Sequence, residues 1–491
     1  MTKINKNSFV SNNDNLSCDY LVIGSGAGGS VAASEIVENG KDCILIEEGD
    51  FFEIDHFKGS FTKSITSTWR NAGFTPIFGK PSFAFAEGRC LGGSTYINGG
   101  LIWRTPKKIL DNWNENYLQD YDYKNLEEHF NKIEKRLYVI KENNNDGFNL
   151  DSKIIHEKAL NQNIKSVYVP RAVKNCERKN VCYTGCASGA KQSVLQAYTY
   201  ESSHKGLRII VNSKVKKINL KNDEAYSVSV INSKTNEEFV VKFKKIILAC
   251  GVIQTPLLIN KSFEKKIFNF DMSIHLNLRI SAIFKDKINA ELGTIFTTQI
   301  QEFIDNGDIF MSTNFNRSNF LSSISNLDNT KLNEILKYID NTASFVLQTK
   351  PTSKVKILNT FDKHFLRFSL NEKDFINIKE KLKYFSNFLF SSGAIKVILP
   401  IKNNIIISDK SQVDSIIQKI KKKDLQMLSV HGMSSMPMSK KNSNFLNCDG
   451  RSRKLNNLYI TDASILPTNV GESPQGTIMA LSHEIMKRMN L

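Results

Sequence analysis

The sequence predicts an α/β chain of two domains. One is built on a parallel sheet assembled from separated stretches of chain, and the other is an α+β unit on an antiparallel sheet. Three observations carry this. The chain has 491 residues, 41% of them hydrophobic and 31 of them Phe, which is too long for one ordinary domain and enough for large cores. Residues 19 to 50 read as a strand, a glycine-rich turn, a helix and a second strand. Alternating apolar segments between about 263 and 428 separate that unit from similar strand-and-helix signals near the C-terminus.

In chain order, the polar opening stretch (residues 1–15) lacks the apolar core of a signal peptide and is expected to be a flexible tail. Tyr20 to Ile23 is short, apolar and β-prone, and runs into Gly24, Gly26 and Gly29, spaced GxGxxG. "SVAASEIVENG" follows with helical spacing and Gly40 as its C-terminal stop, and "DCILIE" ends at Glu47. Each part has a mechanical job. Gly24 permits a tight strand-to-helix turn, Gly26 lets backbone approach a pyrophosphate at the helix N-terminus, and Gly29 allows close packing of helix on strand. Glu47 is placed to accept hydrogen bonds from ribose hydroxyls, which favours an adenosine without a 2′-phosphate, as in FAD or NAD.

"EGRCLGGSTYINGGLIWRTP" (87–106) is a second glycine-rich loop, too apolar for a plain surface turn and suited to backbone pressed against a flat or phosphorylated ligand. Residues 111–189 begin helical and highly charged and are expected to form a lid or connection. "KKIILACGVIQTPLLINKS" reads as a buried strand, a glycine turn and a helix. Helices are expected across the middle sheet at "TKLNEILKYI" and "DFINIKEKLKYFSNFLFSS". The C-terminal "NNLYITDASILPTNVGESPQGTIMALSHEIMKRM" gives a strand, an Asp-containing turn, an irregular loop and a final helix from about Gly476.

Five stretches in order, "GSGAGGSVAA" with Glu47, "GRCLGGSTYINGG", "ACGVIQTP", "VHGMSSMPM" and "YITDASILPTNVGESPQGTIMALS", make the chain resemble the glucose–methanol–choline (GMC) oxidoreductase family of FAD-dependent alcohol oxidases and dehydrogenases. The resemblance implies a discontinuous, Rossmann-like FAD-binding domain over 16–110, 190–262 and 429–491, with a substrate-binding domain over 263–428. It places Gly24, Gly26, Ala27, Gly29, Glu47, Gly92, Gly93, Ser94, Asn98 and Val215 along the cofactor. Asp462 and Ala463 match the turn beside its ribityl and phosphate part. Gln475, Gly476 and Thr477 match the loop over the pyrimidine side of the flavin. No His lies between 57 and 128, so the FAD is expected to be noncovalent.

His431 matches the family's active-site histidine. Moving a hydride from an alcohol carbon to flavin N5 requires removal of the hydroxyl proton, and a neutral imidazole is suited to take it. The family's second hydrogen-bonding residue, Asn or His, is replaced by Ser473, which is shorter but can donate and accept. Neighbouring Glu472 is expected to face solvent, the alternative being a substitute acid or base beside Ser473. The implied reaction is oxidation of CH–OH to a carbonyl, with His431 and Ser473 as catalytic residues. The substrate is a small-molecule alcohol, such as that of a sugar or another metabolite. The electron acceptor is O2, a quinone or a protein. Ser473 also leaves open a lyase or decarboxylase reaction on the same fold, or a flavin-binding protein with decayed catalysis.

The net charge is +17, from 66 basic and 49 acidic residues, but the lysines are scattered, whereas a nucleic-acid binder gathers them in a patch. There is no transmembrane run, and eight Cys spread over so long a chain fit a reduced, cytoplasmic protein. Cys176, Cys182 and Cys186 lack the paired spacing of a zinc site, so no metal is expected.

Overall fold

The computed structural model describes residues 3–11, 16–141, 149–263, 270–313, 315–324, 327–360 and 363–491. Two sheets organise it. Leu16–Ile23 lies between Cys43–Ile46 and Glu238–Leu248, parallel to both. Arg208–Ile210 adds in parallel beyond Cys43–Ile46, and Leu458–Ile460 pairs in parallel with the end of Glu238–Leu248. Glu224–Asn232 and Ser213–Lys221 complete this sheet as an antiparallel extension, giving seven strands among the described residues. From Tyr20 to Ile23 the central strand is buried on both faces, as a parallel strand covered by helices must be. One covering layer is the helix Ala27–Glu38 against the C-terminal helix Gln475–Arg488, tied by Ser482 Oγ donating to the Gly28 carbonyl at 2.8 Å.

The helix Ala27–Glu38 ends by a local device. Gly40 adopts φ +70°, and Lys41 N–H returns to the Ile36 carbonyl at 3.2 Å, which satisfies a carbonyl the helix would leave open.

The second sheet has fourteen strands among the described residues and is mostly antiparallel. The helix Glu372–Ser391 packs on it. The phenylalanines of this region fill its core: the Phe310 ring stacks on Phe385 at 4.2 Å and on Phe345 at 5.5 Å, and all three are buried. Thr75–Lys80 and Phe83–Phe85 come from the span expected for the first domain, yet hydrogen-bond into this second sheet, beside Lys363–Ser369 and Leu428–Ser429. Their exchange is possible because Gly79 leaves room for the neighbouring backbone, where a Cβ would stand 1.9 Å from the Phe368 carbonyl oxygen.

The opening segment differs from the tail expected of it. Among residues 3–11, Ile4 and Ser8 are buried, Asn5 N–H donates to Ser203 Oγ at 2.9 Å, and Val10 N–H donates to the Ile209 carbonyl at 3.0 Å. An apolar Ile4 and an edge strand at 208–210 are enough to dock it. Residues 1–2 and 12–15 of that tail, and 142–148 of the charged connection, lie outside the described residues. Among the described residues, no helix is long and apolar enough to cross a membrane.

Candidate active site

The C-terminal ends of the parallel strands open into a cavity of about 340 Å³. Gly24, Ser25 and Gly26 line it from the first turn, Glu47 from the end of the second strand, Gly93 and Ser94 from the second glycine-rich loop, and Val215 from the extension. The glycines here do distinct things. Gly24 sits at φ +95°, and a Cβ on it would stand 2.2 Å from the Ala249 carbonyl oxygen. A Cβ on Gly29 would meet the Gly24 carbonyl oxygen at 1.9 Å, so this glycine is required by helix-on-strand packing. Gly26 is different: a Cβ there would meet nothing within 4 Å, because the residue borders the cavity. Ala27 follows as the first residue of the helix, whose opening N–H groups face the same end.

The second glycine loop closes over this turn. Gly92 N–H donates to Ser25 Oγ at 2.9 Å, and a Cβ on Gly93 would stand 2.9 Å from Gly26 Cα. Ser94 Oγ accepts from Gly88 N–H at 2.9 Å. Glu47 is buried and accepts from Ser25 N–H (3.0 Å), Ser25 Oγ (2.6 Å) and Gly49 N–H (2.9 Å). Burial raises its carboxyl above the usual range, against those hydrogen bonds. Beneath the loop, buried Lys191 donates Nζ to the Thr95 carbonyl at 2.6 Å, and burial lowers its ammonium to about 8. The Cys176–Cys186 segment leads into this lysine. Cys186 Sγ lies 3.2 Å from Ser188 Oγ and accepts from Lys191 N–H, so the segment braces the loop.

The remaining expected residues fall into two sets, one at the start of the last helix and one at the turn of Asp462. Asn98 donates to Gln475 Oε1 at 2.7 Å, joining the glycine loop to the start of the last helix. Gly476 touches Trp103, where a Cβ would be 2.2 Å from its carbonyl oxygen, and Thr105 and Thr477 hydroxyls meet at 2.8 Å. Asp462 spends its buried carboxylate on Gly251 N–H (2.9 Å), the Thr255 hydroxyl and Ser464 N–H (2.8 Å). The Ala463 carbonyl accepts Ser434 N–H at 3.0 Å, which ties this turn to the loop of His431.

His431 is half-buried, and Met433, Met436 and Met438 further along the same loop are buried. Burial pushes its imidazole down to about 4. Its partner comes from a residue the sequence did not single out. The strand Phe270–Ile274 pairs with Gly432–Met433, and His275 follows directly. His275 is fully buried, with Nδ1 3.0 Å from His431 Nδ1, rings 5.2 Å apart and nearly perpendicular, and Nε2 2.5 Å from Asn469 Oδ1. The usable sequence signal was a histidine inside the apolar alternation "SIHLNLRISAIF".

Ser473 is buried four residues after Asn469, and among the described residues no hydrogen bond joins it to His431. Glu472 does not face solvent as expected. It is 4% exposed, with Oε1 accepting from Gln299 Nε2 at 2.8 Å and Oε2 buried without a partner among the described residues. The strand Thr298–Ile300 packs over it, which a reading of local sequence cannot show. Gln299 Oε1 and Trp103 Nε1 are also buried and, among the described residues, unpaired.

Burial raises Glu472 from 4.5 to about 8. A carboxyl raised in the folded state holds a proton there that the unfolded chain has lost, so stability is fully present below pH 4.5 and declines up to about pH 8. At about 1.4 kcal/mol per unit, the loss is on the order of several kcal/mol. Glu472→Gln keeps the Gln299 contact and removes this term. Urea unfolding at acid and alkaline pH is expected to show wild-type stability falling more steeply than the variant's.

The family model for GMC oxidoreductases matches residues 18–266, and its C-terminal counterpart matches 361–482. The chain belongs to the GMC oxidoreductase family. A GMC-type oxidoreductase of Sinorhizobium fredii, uncharacterised, is 27% identical over 96% of this chain and 94% of its own length. A long-chain-alcohol oxidase of Arabidopsis thaliana, FAO4B, is 20% identical over 96% of this chain and 67% of its own. Among solved structures, a pyridoxine 4-oxidase superposes with a TM-score of 0.74 at 12% identity, covering 96% of this chain and 99% of that one. A formate oxidase of Aspergillus oryzae gives 0.72 at 11%, covering 97% and 99%. As a GMC oxidoreductase the chain is an FAD-binding oxidoreductase, and its own residues fit the cofactor. The space at Gly26 is a cradle that any side chain would fill, and the buried Trp103 indole N–H is a donor without an acceptor among the described residues.

Proposed function

We propose that this GMC oxidoreductase oxidises an alcohol CH–OH to a carbonyl, with His431 taking the hydroxyl proton. The observation that carries the reading is His431 itself. Its Nδ1 is engaged by His275, while among the described residues Nε2 has no partner, and burial keeps the ring neutral at physiological pH. Bound FAD supplies the acceptor for the hydride that leaves the alcohol carbon. The chain's residues do the rest. His431 Nε2 holds the hydroxyl proton, and Ser473 orients the hydroxyl from the loop that opens the last helix. The N-terminus of the helix Gln475–Arg488 favours negative charge placed before it.

The glycine cavity and the group around Asn98, Asp462 and Gln475 are assigned to FAD, held without a covalent bond. The antiparallel sheet is assigned to substrate. The named activities of relatives, on long-chain alcohols and on pyridoxine, support an alcohol as substrate. The electron acceptor is assigned to the class of O2, a quinone or a protein.

The test is a purified protein loaded with FAD and mixed anaerobically with a panel including 1-dodecanol, benzyl alcohol, pyridoxine and a sugar alcohol. At least one is expected to bleach the flavin and leave the matching carbonyl. A fully loaded protein bleached by none of a wide panel would count against the reading.

A further inference from the structure

We infer that His275 and Asn469 form a hydrogen-bonded chain that fixes the tautomer of His431, so that its Nε2 always presents a bare lone pair to the substrate. This deepens the reading above and rests on it, since it supplies the reason His431 can act as a base. His275 and Asn469 are positioning residues, because they act only through His431.

The proton on each ring is set from the fixed end of the chain, Asn469. Asn469 Nδ2 donates to the Ile274 carbonyl at 2.8 Å. Asn469 Oδ1 accepts from Gly471 N–H at 3.0 Å. Both contacts agree on which end of the amide is oxygen, so the side chain cannot be flipped without breaking two hydrogen bonds. The atom facing His275 Nε2 is therefore an acceptor, and His275 Nε2 must carry a proton to make the 2.5 Å contact. His275 is fully buried, and the nearby Lys350 ammonium and His431 both oppose a positive charge on it, so the ring is neutral and has one N–H. That N–H is on Nε2, which leaves His275 Nδ1 as a lone pair. The 3.0 Å contact between the two Nδ1 atoms then requires the hydrogen to come from His431. A neutral His431 with its hydrogen on Nδ1 has none on Nε2.

The backbone holds this register. His275 N–H donates to the His431 carbonyl at 3.2 Å, and Ile274 pairs with Gly432 in the two-residue bridge beside them. The Ile274 carbonyl that orients Asn469 is one residue from His275, so a single strand end fixes both the ring and the amide that polarises it.

In the reaction, the alcohol O–H bond breaks and an Nε2–H bond forms on His431, giving an imidazolium with hydrogens on both nitrogens. Its Nδ1–H stays on the His275 lone pair, which stabilises the new charge. The chain stops at Asn469, because an amide oxygen does not take up the proton at neutral pH. The triad therefore orients and polarises His431 and does not conduct the proton away. The proton leaves by the face through which it arrived.

The test uses full-length, FAD-loaded protein with 15N-labelled histidine, and two-bond 15N–1H correlation spectra at neutral pH. A His431→Gln sample assigns the His431 signals by their loss. The expected result is a protonated Nδ1 and an unprotonated Nε2 on His431, with the opposite pattern on His275. In His275→Phe the acceptor is gone, and His431 is expected to shift towards the Nε2–H form while anaerobic flavin reduction by the best alcohol of the panel slows about 10- to 100-fold. His275→Gln, whose amide oxygen can accept from Nδ1, is expected to restore the Nδ1–H form and most of the rate. A wild-type His431 carrying its hydrogen on Nε2 would overturn the inference, and so would an unchanged tautomer in folded His275→Phe. If His275→Phe loses FAD, the wild-type spectrum alone still decides. The underlying reading fails separately: His431→Gln reducing its flavin at the wild-type rate would sink His431 as the base, whatever its tautomer.

Discussion

His431→Ala is expected to keep its FAD and lose about 100- to 10,000-fold in the rate of flavin reduction by an alcohol, the usual contribution of a placed general base. The separation of the two effects comes from geometry. His431 does not line the glycine cavity, whose walls are Gly24 to Gly26, Glu47, Gly93, Ser94 and Val215. The backbone of its loop is held independently of the ring: Ser434, Met436 and Met438 N–H groups donate to the carbonyls of Ala463, Ser464 and Ile465 at 2.9 to 3.0 Å. Removing the imidazole leaves those contacts and the glycine cavity in place. It also strands His275 Nδ1 in a buried site without a donor, which costs stability on the order of 1–3 kcal/mol. A modest fall in melting temperature is therefore expected beside the large loss in rate. Stopped-flow absorbance under anaerobic conditions reads the rate, and the flavin-to-protein ratio reads retention. Equal losses of flavin and rate would point to a structural role instead.

Gly26→Val is expected to give the opposite pattern, a folded protein that binds FAD weakly. The backbone at Gly26 has φ −71° and ψ −162°, which any L-residue adopts, and a Cβ there touches no protein atom. The added side chain stands in the space assigned to the pyrophosphate, in front of the first N–H groups of the helix. Forcing a ligand past such an obstacle costs about 1–3 kcal/mol or more, so affinity should fall roughly 100-fold. The apoprotein's urea midpoint should match that of wild-type apoprotein. Gly29→Ala is the control, because its methyl group would stand 1.9 Å from the Gly24 carbonyl oxygen and must disturb the packing of helix on strand. Isothermal titration with FAD and urea unfolding distinguish the two. Tight FAD binding by Gly26→Val would remove the cradle from the account.

The family and the two-sheet α/β fold were legible in the sequence because their signals are local. A βαβ unit fits within residues 16 to 50, and glycine spacing alone shows where backbone must turn or approach. The parts that were not legible depend on distant segments. His275 meets His431 across 156 positions and Asn469 across 194, and the pairing of 270–274 with 432–433 is what brings them together. The same is true of Glu472, whose polarity suggested solvent until the strand Thr298–Ile300 covered it. Thr75–Phe85 joined the sheet of the other domain because strand pairing is decided by partners far along the chain. Ser473 remains the residue on which the sequence has most to say about specificity. It is buried, four residues after Asn469, and the proposed function assigns it to the substrate hydroxyl.

The most direct test of the central claim is a single anaerobic turnover of FAD-loaded protein with a primary alcohol and its 1,1-dideuterated form. The account predicts that one carbonyl forms per flavin bleached and that deuteration slows bleaching several-fold, because the carbon–hydrogen bond breaks as the cofactor is reduced. A fully occupied flavin that stays yellow with every alcohol tried, or bleaching without a carbonyl product, would contradict it.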